Sequence, residues 1–141
     1  MLYSNNEMVH HETIFGLEAT QLKFGTNSLS ELGWELSKYN FKKILLVIDP
    51  VLHEFNVTQK ILDQTKSLKA ETIIYDNIVV EPTLKSFETA SQFAQKHSFE
   101  LIIAVGGGST IDTAKVSNLI KVCGGNVMDY VNLPVGGGKK P

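Results

Sequence analysis

Hydrophobic and polar positions alternate between two kinds of pattern along this chain. Short unbroken apolar runs occur at 44–48 (Ile-Leu-Leu-Val-Ile), 72–75 (Thr-Ile-Ile-Tyr) and 101–105 (Leu-Ile-Ile-Ala-Val). Runs of this kind suit strands buried on both faces of a parallel sheet. Between them the apolar residues return at helical spacing. Ser28 and Glu31 have the spacing of a capping box, followed by Leu29, Leu32, Leu36 and Tyr39 on one face. Thr58 is placed to cap a second helix carrying Ile61, Leu62, Thr65 and Leu68. Thr83, after Pro82, is placed to cap a third, with Leu84, Phe87, Ala90, Ala94 and His97 in register. A fourth helix is expected from Ser109 or Thr110 to about Val122, ended by Gly124-Gly125. An extended stretch near Ala19 to Phe24 is a candidate edge strand.

Repeated strand–helix units imply right-handed crossovers and an α/β fold, a Rossmann-like doubly wound parallel sheet. Ligands of such sheets bind beyond the carboxyl ends of the strands. Asp49, Glu81 and Gly106–Ser109 all fall at or just past predicted strand ends. The expected organisation is a polar N-terminal tail at 1–13, one α/β domain at 14–130 and a flexible C-terminal segment at 131–141.

The stretch Leu101–Lys115 carries the most chemistry. An apolar strand runs into Gly106-Gly107-Gly108, and Ser109-Thr110 then open a helix. Glycines let a backbone approach a pyrophosphate closely, and the first amides of a helix point at the ligand without internal partners. A glycine-rich strand–helix turn that binds nothing is the plainer alternative. The turn departs from the G-x-G-x-x-G fingerprint, because Ile111 stands where the last Gly or Ala belongs. The acidic ribose partner normally follows the glycines; here the candidate, Asp49, precedes them. Asp112 is expected in the first turn of the helix, touching the cofactor or only supporting the loop. Gly136–Lys140 superficially resembles a P-loop but lacks the earlier glycine and the following Ser or Thr, since Leu133 and Lys140 occupy those places.

Composition narrows the partners. Of 141 residues, all 13 basic ones are Lys, and the net charge is −2. Nothing in this balance points to nucleic acid or a membrane surface. Without Arg no side chain can clamp a phosphate bidentately, so phosphate binding rests on backbone amides, hydroxyls and Lys. The polar start lacks the basic and apolar regions of a signal peptide, and a cytoplasmic location is expected. The single cysteine, Cys123, has no internal disulfide partner and is expected as a small buried residue on the last helix. His10 and His11 lie in the polar tail, and His97 near a helix end. Asp49 and His53 have a carboxylate–histidine spacing compatible with two metal ligands, but no third or fourth ligand accompanies them.

Taken together, Phe24-Gly25, Leu32-Gly33, Val47-Ile48-Asp49-Pro50, Glu81-Pro82-Thr83, Gly106–Lys115 and Met128-Asp129-Tyr130 resemble the iron-containing alcohol dehydrogenases, from about Ile14 onward. Tyr75–Thr83 and Asp129–Pro134 look most like the hydroxyacid–oxoacid transhydrogenase subgroup and its bacterial relatives. The resemblance implies a dehydroquinate-synthase-like N-terminal domain, with the family's second, helical metal-binding domain absent from this chain. It implies NAD at Asp49, Glu81, Gly106, Gly107, Gly108, Ser109, Thr110 and Asp112. In the family the acid at Asp49 is associated with the adenosine ribose and a preference for NAD; a turn Asp at a strand end is the alternative. Many members carry Asn at the place of Glu81, and a Pro turn with a Thr cap explains that loop equally well.

The resemblance further implies iron or another divalent metal, held by one Asp and three His of the second domain and therefore without a site here. It implies hydride transfer to or from a small alcohol or hydroxy acid in the full-length enzyme. The chain alone is expected to be inactive, with a homo-oligomer or a complementing second domain as candidate partners. The alternatives are a glycerol-dehydrogenase- or dehydroquinate-synthase-like member, and a stand-alone nucleotide-binding or interaction module.

Overall fold

The computed structural model describes residues 21–141. Their core is a parallel three-stranded sheet: β1 (Lys43–Ile48), β2 (Glu71–Tyr75) and β3 (Leu101–Val105), in the order β2-β1-β3. β1 pairs with both neighbours, Val47 lying opposite Tyr75 on one side and Ala104 on the other. The apolar runs therefore do become parallel strands. Only the central one is buried along nearly its whole length, from Ile44 to Ile48; every residue of β3 keeps partial exposure, as befits a flanking strand.

Helices cover both faces. Elements in chain order are a 3-10 turn (Ser28–Glu31), α1 (Leu32–Leu36), β1, a 3-10 turn (Pro50–Phe55), α2 (Val57–Ser67), β2, α3 (Leu84–Lys96), β3, α4 (Gly108–Cys123) and α5 (Val127–Tyr130). Side chains of β1 alternate between the two layers, because strand residues point to opposite faces in turn. Leu45 and Val47 pack with Ala90 and Ala94 of α3 and Ala114 of α4. Leu46 and Ile48 pack with Ile61 of α2, with Leu29, Leu32 and Leu52 around them. The small residues of α3 and α4 let these two helices lie close over the sheet. No helix among the described residues is long and apolar enough to cross a membrane.

Several local expectations are corrected. Ser28 does not cap a helix; Asn27, left-handed at φ 63°, precedes a 3-10 turn, and no side chain caps it. Thr58 lies inside the first turn of α2, behind Asn56 at φ 57°, and its hydroxyl meets the His53 ring instead. Short polar residues tolerate the left-handed region and can end one turn as the next begins. Thr83 does cap α3: its hydroxyl accepts from the Ser86 amide at 3.2 Å, and the Ser86 hydroxyl accepts from the Thr83 amide at 2.9 Å. Helix α4 begins at Gly108, a residue earlier than expected, and ends at Gly124 with φ 69°. Cys123 is exposed, not buried, because the helix end turns it away from the sheet.

Residues 21–24 form no strand, and Leu22 and Phe24 are exposed; Ala19, Thr20, the 1–13 tail and its His10 and His11 lie outside the described residues. Segment 131–141 contains neither helix nor strand. Its backbone is nevertheless tied back: Gly137 donates to Met128 O at 2.9 Å, Gly138 to Val131 O at 2.8 Å and Lys139 to Asp129 O at 2.8 Å.

Candidate functional site

β2 lies on one side of β1 and β3 on the other, so the chain reverses direction between β1 and β3. In an open parallel sheet this switch point leaves a crevice at the carboxyl ends of the two strands. Asp49 leaves β1 on one side of it and Gly106 leaves β3 on the other. The Asp49 amide donates to Val105 O at 3.0 Å. A Cβ added to Gly106 would stand 3.1 Å from the Asp49 Cβ and 2.8 Å from that of Thr110. The glycine is therefore required by crowding against Asp49 and Thr110.

Gly107 and Gly108 differ from it. Both are exposed, neither is in the left-handed region, and a Cβ on either would meet nothing. Their bareness opens a path to the backbone where α4 begins. Gly108 and Ser109 start the helix, and first-turn amides have no intrahelical acceptor. The Thr110 amide reaches back to Gly107 O at 3.1 Å, and Thr110 itself is buried. The Ser109 hydroxyl accepts from the Glu81 amide at 3.3 Å, which leaves its own hydrogen free to donate outward. Thus the glycine turn offers backbone amides and a hydroxyl at the positive end of a 16-residue helix.

The Asp49 carboxylate has a local task. It accepts from the Val51 amide at 3.0 Å and caps the Pro50–Phe55 turn. One oxygen is engaged there, and the group is half-buried. Glu81 reaches the site through its backbone: held at φ 54°, a costly conformation for a residue with a side chain, it directs its amide at Ser109. Asp112 is not in the first turn. With α4 starting at Gly108 it is the fifth helical residue, exposed and beyond capping reach.

The structure therefore gathers Asp49, Gly106, Ser109, Thr110 and the Glu81 backbone, and sets Asp112 apart. His97 closes the end of α3, its Nδ1 against Phe93 O at 2.8 Å, away from the site. At the end of β2, Tyr75 packs on Phe93, and burial pushes its phenol above the ordinary tyrosine value. One linkage escaped the sequence reading. His53 reaches Thr58 with one ring nitrogen and Asp76 with the other. Its nearness to Asp49 is visible in the spacing; its partner just past the next strand is not. Among the described residues no three His, Cys, Asp or Glu side chains gather into a metal site.

The sequence profile described as iron-containing alcohol dehydrogenase matches residues 19–141. The chain is 35% identical over 129 residues to the mitochondrial hydroxyacid-oxoacid transhydrogenase of Xenopus tropicalis, an alignment covering 91% of this chain and 28% of that protein. It is 34% identical over 109 residues to long-chain-alcohol dehydrogenase 1 of Geobacillus thermodenitrificans (strain NG80-2), covering 77% of this chain and 28% of that one. Among solved structures, NADH-dependent butanol dehydrogenase A of Thermotoga maritima superposes with a TM-score of 0.75, covering 84% of this chain and 30% of that one, at 23% identity. That likeness speaks for the fold. The chain spans little more than a quarter of the length of the curated relatives it matches.

Proposed function

The chain belongs to the iron-containing alcohol dehydrogenase family, and on that premise we propose that it is the dinucleotide-binding part of such an oxidoreductase, taking NAD at the crevice between β1 and β3. The observation that carries this reading is the juxtaposition of Asp49 with the Gly106–Thr110 turn across that crevice. A dinucleotide needs both features at once. The open backbone at Gly107 and Gly108 admits a pyrophosphate to the first amides of α4, and the Ser109 hydroxyl adds a donor. The Asp49 carboxylate accepts from the adenosine ribose hydroxyls and repels a 2′-phosphate. With 13 Lys and no Arg, the chain has no bidentate fork to offset that repulsion, which favours NAD over NADP.

In the complete enzyme we propose hydride transfer between the nicotinamide C4 and the carbinol carbon of an alcohol or hydroxy acid. The Tyr75–Thr83 and Asp129–Pro134 stretches favour the hydroxy acid. A divalent metal supplies Lewis-acid polarisation of the substrate oxygen in such chemistry. The described residues do not fit that group, since no set of ligands gathers among them. The part of the reaction assigned to this chain is to bind and orient the cofactor. A complementing domain that carries the metal ligands is the proposed partner for turnover.

Titration of the purified chain with NAD, followed by calorimetry, tests this reading. Saturable binding that Gly108→Val abolishes, with the fold intact, is expected. Equal binding by parent and variant would remove the glycine turn as the phosphate site.

A further inference from the structure

We propose that His53 is a positioning residue for the nucleotide site, acting through a clasp to Asp76 that holds the Asp49 carboxylate toward the adenosine ribose. The inference rests on the reading of Asp49 given above and adds a determinant outside the glycine turn. Asp49 does not orient itself. Its carboxylate is set by the Pro50–Phe55 turn, through the bond from the Val51 amide at 3.0 Å, while the Asp49 carbonyl accepts from the Leu52 amide at 2.9 Å. Whatever holds that turn also holds the carboxylate.

Two kinds of contact hold the turn. Leu52 packs among the apolar residues beneath it, which sets its height above the sheet. An apolar anchor fixes the turn's height more than its direction, because apolar burial is non-directional. His53 supplies direction. Its Nδ1 lies 2.7 Å from Thr58 Oγ1 in the first turn of α2, and its Nε2 lies 3.3 Å from Asp76 Oδ2. Asp76 is the first residue after β2, and Val47 pairs with Tyr75, so Asp76 comes level with Ile48, the last residue of β1 before Asp49. The His53 ring thereby joins the exit of β1 to the exit of β2 and to α2. The chemistry of the partners also fixes the neutral ring's proton. An ionised carboxylate only accepts, so Nε2 carries the hydrogen and Nδ1 accepts from the Thr58 hydroxyl.

Substitution separates the two arms of the clasp. Gln at position 53 can place an amide nitrogen near the Nε2 position and still donate to Asp76. Asn reaches only toward Thr58, and Ala reaches neither. The probes are AMP and 2′-deoxy-AMP, titrated into the full chain by NMR, because only the first presents the diol that Asp49 would bind. The parent should prefer AMP by about tenfold or more, the size expected for a hydrogen bond to a charged acceptor. Asp49→Ala should abolish that preference. His53→Ala and His53→Asn should reduce it by roughly threefold or more, a part of the roughly tenfold preference that Asp49 itself carries, and His53→Gln should restore it. In the Asp49→Ala background, His53→Ala should have no further effect on the ratio.

A ratio unchanged in His53→Ala, while Asp49→Ala abolishes it, would overturn the clasp and leave the nucleotide site standing. No preference in the parent itself would overturn the ribose reading of Asp49, and the clasp with it. One further measurement needs no nucleotide: imidazole 15N spectra of the parent should show the neutral His53 ring protonated at Nε2. Protonation at Nδ1 instead would mean that the bond to Asp76 is not made, and would end the proposal.

Discussion

The amide of Asp49 donates to the carbonyl of Val105 across 3.0 Å, and this bond joins the carboxylate at the end of β1 to the glycine turn at the end of β3. Two features more than fifty residues apart in sequence thus become the two walls of one crevice. The proposed nucleotide site is a consequence of strand order: only because β3 lies beside β1 does Gly106 stand next to Asp49.

Gly106 and Gly108 should respond differently to substitution. Gly106→Val brings a branched side chain against Thr110 and Asp49, and should cost roughly 1–3 kcal/mol as an overpacked contact. The Cβ of Gly108→Val meets nothing, and the variant should melt within a few degrees of the parent while losing NAD. Thermal melting paired with calorimetric titration separates these outcomes. A Gly108→Val chain that unfolds would show that its open space is not what the structure indicates.

Asp49→Gly should narrow the preference for NAD over NADP. Loss of bonds from the ribose to a charged acceptor weakens NAD by roughly 1.5–3 kcal/mol, and removal of the carboxylate relieves repulsion of the 2′-phosphate. The ratio of NADP to NAD affinity should rise more than tenfold, with absolute affinity for NADP staying low for want of an Arg. The lost cap on the Pro50–Phe55 turn should cost only a few tenths of a kcal/mol with Gly in its place. An unchanged ratio in competitive titrations would make Asp49 a turn residue only.

Thr83→Ala removes one half of the reciprocal Thr83–Ser86 cap and should destabilise the chain by about 0.5–2 kcal/mol. Because Pro82 and Glu81 precede this cap, the contact from the Glu81 amide to Ser109 should loosen as well. Denaturant midpoints measure the first effect, and amide exchange at Glu81 the second. A variant as stable as the parent would show that the cap is dispensable.

Glu100 gives the fold an acid-sensitive joint. Its carboxylate accepts the amides of Lys43 at 2.8 Å and Lys42 at 3.2 Å, tying the start of β1 to the start of β3. Those backbone bonds, Lys43 first, hold its pKa below the ordinary value of 4.5. A carboxylate lowered on folding contributes stability that is present above the unfolded pKa. That stability is lost as pH falls from there through the lowered folded pKa. Glu100→Gln should therefore lower the melting temperature at neutral pH, and the gap to the parent should close as pH falls below about 4. A gap independent of pH would contradict the assignment.

Much of this architecture was legible in the sequence, for a physical reason. Short apolar runs separated by helical patterns suit the strands of a covered parallel sheet, and 44–48, 72–75 and 101–105 form them. Pro82-Thr83 and Gly124 likewise carry their helix boundaries in their own backbone preferences. The misread caps at Ser28 and Thr58 share a different cause. Asn27 and Asn56 take up left-handed backbone and occupy the N-cap positions of their elements one and two residues early, which no periodicity of side chains records. Cys123 was read from its residue type, yet the end of α4 carries it into solvent. In the site, the glycine turn and Asp49 announced themselves by position at strand ends. The Glu81 amide and the His53–Asp76 contact did not, because both depend on which strands become neighbours.

The most direct test of the central claim is a 1H–15N map of the chain titrated with NAD. The account predicts that saturable shifts concentrate at Gly106, Gly107, Gly108, Ser109 and Thr110 and, across the crevice, at Asp49 and Val51. Shifts confined to other surfaces, or none at millimolar NAD, would contradict a dinucleotide site between β1 and β3.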